Sequence, residues 1–231
     1  MDIIMQDEIF LSKEGNNYFG RNKSYYTQAS STFNNINYAI SLINNVSQIK
    51  SVLDLGCANG NRLDDLKQLL PECNRFVGIE ASADAINDGK KRYKDIELHQ
   101  GVLSDIPIKA PFDLVIINFV LHWVDRSSLI KSISEIDRVV KNNGYLIIGD
   151  FLPDCPLKRK YGHLPEDNVY TYKQDYSKIF ESSNMYKEIY RFVYDHDIKL
   201  KELSINASDN ASRAYCSVLK KDINNYYREL L

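Results

Sequence analysis

The chain has 231 residues, with 29 Lys and Arg against 31 Asp and Glu for a net charge of −2, and a pI near 6.1. That balance lacks the basic footprint a nucleic-acid binder needs, so nucleic acid is excluded as the expected partner. No apolar run could span a bilayer, no signal peptide is evident, and Cys57, Cys73, Cys155 and Cys216 lack metal-ligand spacing. The expectation is one cytoplasmic domain, monomeric or homodimeric, with reduced thiols, no metal and no membrane partner.

Residues 1–50 carry Phe33, Ile36, Ile40, Ile43 and Val46 at helical spacing and read as helices ahead of a sheet. Within them, Asn16-Asn-Tyr-Phe-Gly-Arg-Asn22 is dense in polar and aromatic groups. Tyr18 and Arg21 are candidate substrate contacts, Arg21 because a guanidinium fork can grip a carboxylate. A surface ion pair is the other reading of Arg21.

Ser51-Val-Leu-Asp-Leu-Gly-Cys-Ala-Asn-Gly60 joins a buried-strand pattern to a small-residue turn, and Leu63, Leu66, Leu69 and Leu70 then run at helical spacing to Pro71. The next strand, Arg75–Glu80, ends in an acid about 20 residues past the turn, where a carboxylate can accept both hydroxyls of an adenosine ribose. A dinucleotide loop would place its third glycine where Asn61 stands, and a phosphate-cradling loop would end in Gly-Lys-Ser/Thr; neither occurs. What remains, Asp54-x-Gly56-x-Ala58-x-Gly60, suits a cationic ligand without phosphates. Asp113–Asn118 reads as a buried parallel strand with a ligand-side end at Asn118, Ser127–Val140 as a helix and Tyr145–Asp150 as a strand. Phe151–Tyr176 reads as one long loop, a helix begins near Asp175, and two strands, Arg191–Asp197 and Ala214–Leu219, close the sheet.

With Gly101-Val-Leu-Ser-Asp-Ile-Pro107, Phe112–Trp123 and Val139–Gly149, these segments resemble, in order, the motifs of the class I S-adenosylmethionine-dependent methyltransferases. The resemblance covers roughly residues 50–150. It implies a doubly wound, Rossmann-like α/β fold: a seven-stranded, mostly parallel sheet with an antiparallel last strand, flanked by helices and covered by N-terminal lid helices. The single domain would divide into a helical lid (1–50), a cofactor-binding core (51–150), a substrate-side loop and helix (151–190), and closing strands with a tail (191–231). The implied cofactor is S-adenosylmethionine. Asp54, Gly56, Cys57, Ala58 and Gly60 would cradle it, Glu80 and Ala81 would face its ribose, and Asn118 and Phe119 would line the methionine end near the transferable methyl. Val102 stands where many relatives carry an Asp for the adenine amino group, which leaves the backbone amide of Leu103 for the ring and Asp105 as either a replacement acceptor or a loop cap. Ala58 replaces a customary glycine, restricting the backbone angles there.

A hydroxyl acceptor needs a base. His163, beside Tyr161 in the substrate-side loop, is the first candidate, its other reading a structural hydrogen bond from lid to core; His122 is the second, and a satisfied packing residue is its favoured reading. Trp123, Tyr161, Tyr170 and Tyr172 are candidate acceptor contacts, and aromatic faces of this kind suit a sugar. Asp150–Pro156 and Tyr170–Tyr176 are similar to methyltransferases of bacterial surface-glycan pathways. The leading expectation is therefore O-methylation of a small molecule, a sugar or surface-glycan precursor. Carboxyl methylation of a small acid, drawn from His122-Trp123 and Lys158–Lys160, is the alternative. A catalytically silent nucleotide-binding protein is the alternative from another class.

Overall fold

Apolar runs that alternate their side chains across a sheet need cover on both faces, and the helices of this chain supply it. The computed structural model describes residues 6–24, 26, 34–197 and 212–229; Phe33 of the helical pattern lies outside them. Helix α1 (Gln6–Ile9) passes through a π-helical turn (Phe10–Glu14) into α2 (Gly15–Asn22). Helix α3 (Asn35–Ser41) follows, and the side chain of Asn34 caps it by accepting the Asn37 N–H. The core then alternates: β1 (Ser51–Leu55), α4 (Asn61–Leu69), β2 (Arg75–Glu80), α5 (Ala83–Arg92), β3 (Glu97–Gln100), β4 (Phe112–Asn118), α6 (Leu129–Val139), β5 (Val140–Phe151). A hairpin of β6 (Leu157–Lys160) and β7 (Tyr170–Lys173) precedes α7 (Ser177–Glu181), β8 (Tyr186–Asp195) and β9 (Arg213–Lys221).

The sheet order is β3-β2-β1-β4-β5-β9-β8. Strands β1 to β5 pair in parallel, while β9 runs antiparallel to both β5 and β8. This is the seven-stranded, mostly parallel sheet expected from the sequence. Val52, Leu114, Ile116 and Ile147 face a core that includes Ile36, Ile40, Leu63, Leu66 and Ile86 from α3, α4 and α5. Leu53, Leu55, Val115, Ile117 and Ile148 face the other core, with Ile136, Val139 and Phe180 from α6 and α7. The winding direction reverses between β1 and β4, so a crevice opens beyond their carboxyl ends.

Two expectations are corrected. Phe151–Tyr176 contains the β6–β7 hairpin rather than an irregular loop, and β8 begins at Tyr186, five residues ahead of the expected Arg191. Strand β6 is Leu-Lys-Arg-Lys with all four residues exposed, so it has no buried face to show in an apolar pattern. Its partner holds it: Lys158 pairs across from Tyr172 and its ammonium lies 3.9 Å from the centre of the Tyr170 ring.

The leading helices are docked by polar contacts as well as apolar ones. Buried Gln6 donates to the carbonyls of Trp123 and Tyr170 and accepts the Tyr170 N–H at 3.0 Å. Asn16 accepts from the Ser82 hydroxyl at 2.9 Å and the Asp84 N–H at 3.1 Å, at the start of α5. Substituting Gln6→Ala strands three backbone groups and is expected to cost ~1–3 kcal/mol of docking. Hydrogen exchange should show faster exchange of the Tyr170 amide, with β1 and β4 amides unaffected.

Candidate active site

The first loop is built on left-handed backbone. Gly56 has φ 79°, and a Cβ there would overlap Val120; Ala58 sits at φ 51°, a conformation that costs an L-residue ~1–2 kcal/mol. The amides of Gly56 and Cys57 both donate to the Ile79 carbonyl, at 2.8 and 3.1 Å, which ties the turn to the end of β2. The next residue, Glu80, accepts the Ala58 N–H at 3.0 Å with one carboxylate oxygen and the Ser82 N–H at 2.9 Å with the other. Burial raises the Glu80 carboxyl above its ordinary range, and those N–H donors oppose the rise.

A cleft of about 560 Å³ lies beyond these strand ends, within the ~300–1,000 Å³ typical of ligand sites. Gly56, Cys57, Ala58, Glu80, Ala81, Val102, Leu103, Asn118 and Phe119 all line it, as do Asp7, Phe10 and Tyr18 from the leading helices. The Asn118 side chain accepts from Asn35 of α3 at 2.7 Å, in space left by Gly149, where a Cβ would overlap both groups. Phe119 then adopts φ 57° while its N–H donates to the Gly149 carbonyl at 2.7 Å. A bulky residue held at positive φ at a ligand-side strand end fits a functional position.

A second cavity of about 470 Å³ adjoins the first, and Tyr18, Phe119, Trp123 and His196 line both. Trp123 is the hub between them, with ring centroids 4.8 Å from Tyr161, 4.9 Å from His122 and 5.4 Å from Phe10. His122 lines the second cavity and is buried. Its Nδ1 lies 2.9 Å from Asp150 Oδ1 and its backbone N–H donates to Asp150 Oδ2 at 3.1 Å, with Asp150 itself fully buried at the end of β5. Because a carboxylate only accepts, Nδ1 carries the proton and Nε2 is left as the basic nitrogen.

Several sequence-based candidates lie elsewhere. Asp54 and Gly60 are not among the lining residues; the Asp54 carboxylate is fully buried and takes Arg62 Nη1 at 2.8 and 3.0 Å, so a cation from this chain meets it. Arg21 reaches neither cavity. It donates to buried Glu14 and to the Tyr161 hydroxyl, closing a clasp between the leading helices and the loop after β6. Tyr170 and Tyr172 occupy the hairpin face turned from the cavity, against Lys158 and Arg126, and alternation gives the cavity to Thr171 and Lys173 instead. His163 and Tyr161 do line the second cavity, His163 exposed and Tyr161 buried with its hydroxyl donating to Glu14 at 2.7 Å. Asp105 is exposed and outside the cleft, whereas Asp7 lines it and accepts from the Ser104 hydroxyl.

A family model described as a methyltransferase domain matches residues 46–224. The chain belongs to the S-adenosylmethionine-dependent methyltransferase family. Among curated proteins of this family, a trans-aconitate 2-methyltransferase of Azoarcus sp. is 31% identical over 99 residues, covering 42% of this chain and 38% of its own length. A dTDP-3-amino-3,4,6-trideoxy-alpha-D-glucopyranose N,N-dimethyltransferase of Streptomyces venezuelae is 29% identical over 102 residues, covering 44% and 39%. The matches thus span about two fifths of those relatives. In fold, the chain is similar to the Burkholderia thailandensis 1,6-didemethyltoxoflavin-N1-methyltransferase, at TM-score 0.64 and 14% identity over 93% of this chain and 88% of the other.

Asp150, Asn35, Arg62 and Lys173 were absent from the sequence-based candidates. Asp150 had a signal, since it ends a parallel strand beside the ligand side; the other three come from helices and a hairpin whose placement is tertiary. Relieving the left-handed strain by Ala58→Gly is expected to be neutral or stabilising by up to about 1 kcal/mol, strain relief offset by the entropy of the unfolded glycine. Urea denaturation would measure it, and a loss of that size instead would mean Ala58 contributes packing that outweighs its φ.

Proposed function

We propose that this protein transfers a methyl group from S-adenosylmethionine to a hydroxyl of a small molecule seated in the second cavity, with His122 as general base. The observation that carries the reading is the buried His122–Asp150 pair beside the junction of two cavities. The first cavity suits the donor. Glu80 retains lone pairs for the ribose hydroxyls after accepting from Ala58 and Ser82. Leu103 offers its backbone amide to the adenine edge, and Asp7 offers the carboxylate that Val102 lacks.

When bound, the donor supplies an electrophilic methyl on a sulfonium that departs as a neutral thioether. The residues of the chain then have two tasks. Phe119, Tyr18 and Trp123 hold the acceptor oxygen in line at the junction, where position dominates the rate. His122 Nε2 accepts the hydroxyl proton as the new C–O bond forms, and Asp150 steadies the imidazolium through Nδ1–H. A carboxylate acceptor arrives deprotonated and would need no such base, so the pair favours hydroxyl over carboxyl methylation. The aromatic walls of Tyr18, Trp123 and Tyr161 suit a saccharide ring.

Calorimetry should show binding of S-adenosylmethionine and none of NADH, and Glu80→Ala should weaken the donor by ~1–3 kcal/mol. NADH preference would overturn the donor assignment. His122→Ala should lower kcat by ~10²–10⁴-fold while donor affinity stays as in the native chain; unchanged kcat would remove His122 from the chemistry.

A further inference from the structure

The second cavity has a charge of one sign. Arg159, Lys160 and Lys173 line it, together with His122, His163 and His196, and among the described lining residues none is Asp or Glu. The pairing of the hairpin explains how the cations come together: Arg159 sits across from Thr171 and Leu157 across from Lys173, so Arg159, Thr171 and Lys173 share the face turned to the cavity. Lys158 and both hairpin tyrosines take the opposite face. Lys173 is partly buried, with its ammonium 3.5 Å from the centre of the Phe151 ring. Burial lowers its pKa, the charge of Arg159 lowers it further, and Asp150 and Asp197 counter only in part. Asp150 also contacts His122, and Asp197 Oδ1 lies 3.1 Å from Nδ1 of His196.

Cations gathered around a cavity, here two exposed on β6 and the partly buried Lys173, are stabilised by an anion entering it. We propose that the second cavity binds a fixed negative group of the acceptor, a carboxylate or a phosphate, through Arg159 and Lys173, while a separate hydroxyl of the same molecule meets His122. This rests on the reading of the site as that of a hydroxyl methyltransferase. The anion serves as anchor and the hydroxyl as nucleophile, which gives the cationic hairpin and the histidine pair distinct tasks on one acceptor. Neutral sugars lack the anchor; hydroxy acids and phosphorylated sugars or alcohols carry it.

The test uses the full chain saturated with S-adenosylhomocysteine, and titrates it by calorimetry with inorganic phosphate and, separately, with succinate. The expected result is binding of at least one, weakened about tenfold to hundredfold in the double variant Arg159→Gln, Lys173→Met and largely retained in Lys173→Arg. Preference for phosphate or for succinate distinguishes the two sources of the charge. Failure of the native chain to bind either anion at millimolar concentration, or equal binding by the double variant, overturns the proposal. Donor titration of the same proteins without S-adenosylhomocysteine, beside anion titration with and without it, separates the two readings: a chain that binds the donor but no anion loses only this inference. A chain whose anion binding depends on Arg159 and Lys173 but which binds no donor keeps the anion site and loses the proposed function.

Discussion

Strands β1 and β4 lie side by side and parallel, yet the segments that follow them wind away in opposite directions. No crossover can therefore cover their carboxyl ends, and the backbone there is left open to a ligand. Everything chemical in the molecule is arranged around that opening. The loop after β1, Glu80 at the end of β2, Asn118 and Phe119 at the end of β4, and Asp150 near the end of β5 are four uses of the same geometric fact. The leading helices and the β6–β7 hairpin then close over it from outside, sharing Trp123 as their common contact.

The charged groups near the opening fall into two kinds of pairing. Asp54 is spent on Arg62, and Glu14 on Arg21 and the Tyr161 hydroxyl, the latter trio binding lid to hairpin loop. Tyr161 is pushed well above the ordinary phenol range by burial and by its bond to Glu14, so it stays a neutral donor in that clasp. Glu80 and Asp150 differ, since each carboxylate is fixed by backbone N–H donors, and Glu80 and His122 line the two cavities. Fixing a side chain through the main chain costs no further ordering when a ligand arrives, the physical content of preorganisation.

Much of this was legible locally. Strand–turn–helix at 51–70, the acid at Glu80 and the strand end at Asn118 follow from period, glycine and spacing, because each is a property of one short segment, while the antiparallel closing strand came from the family resemblance. Arg21 and Asp54 misled for one reason: an arginine or an aspartate reads as a ligand contact until its partner is known, and Glu14 and Arg62 are partners only in three dimensions. Tyr170 and Tyr172 misled for another, as a hairpin with an exposed strand has no apolar alternation to reveal which side chains turn inward.

The sequence by itself determined the fold class, the position of the left-handed loop after β1 and the acid that ends β2, since these depend on backbone permission and on neighbours a few residues away. Only the tertiary structure decided which histidine has a buried carboxylate behind it, 28 residues further along the chain. It also decided which cations share a cavity, because burial and facing are set by strand register and by elements that meet from opposite ends of the sequence.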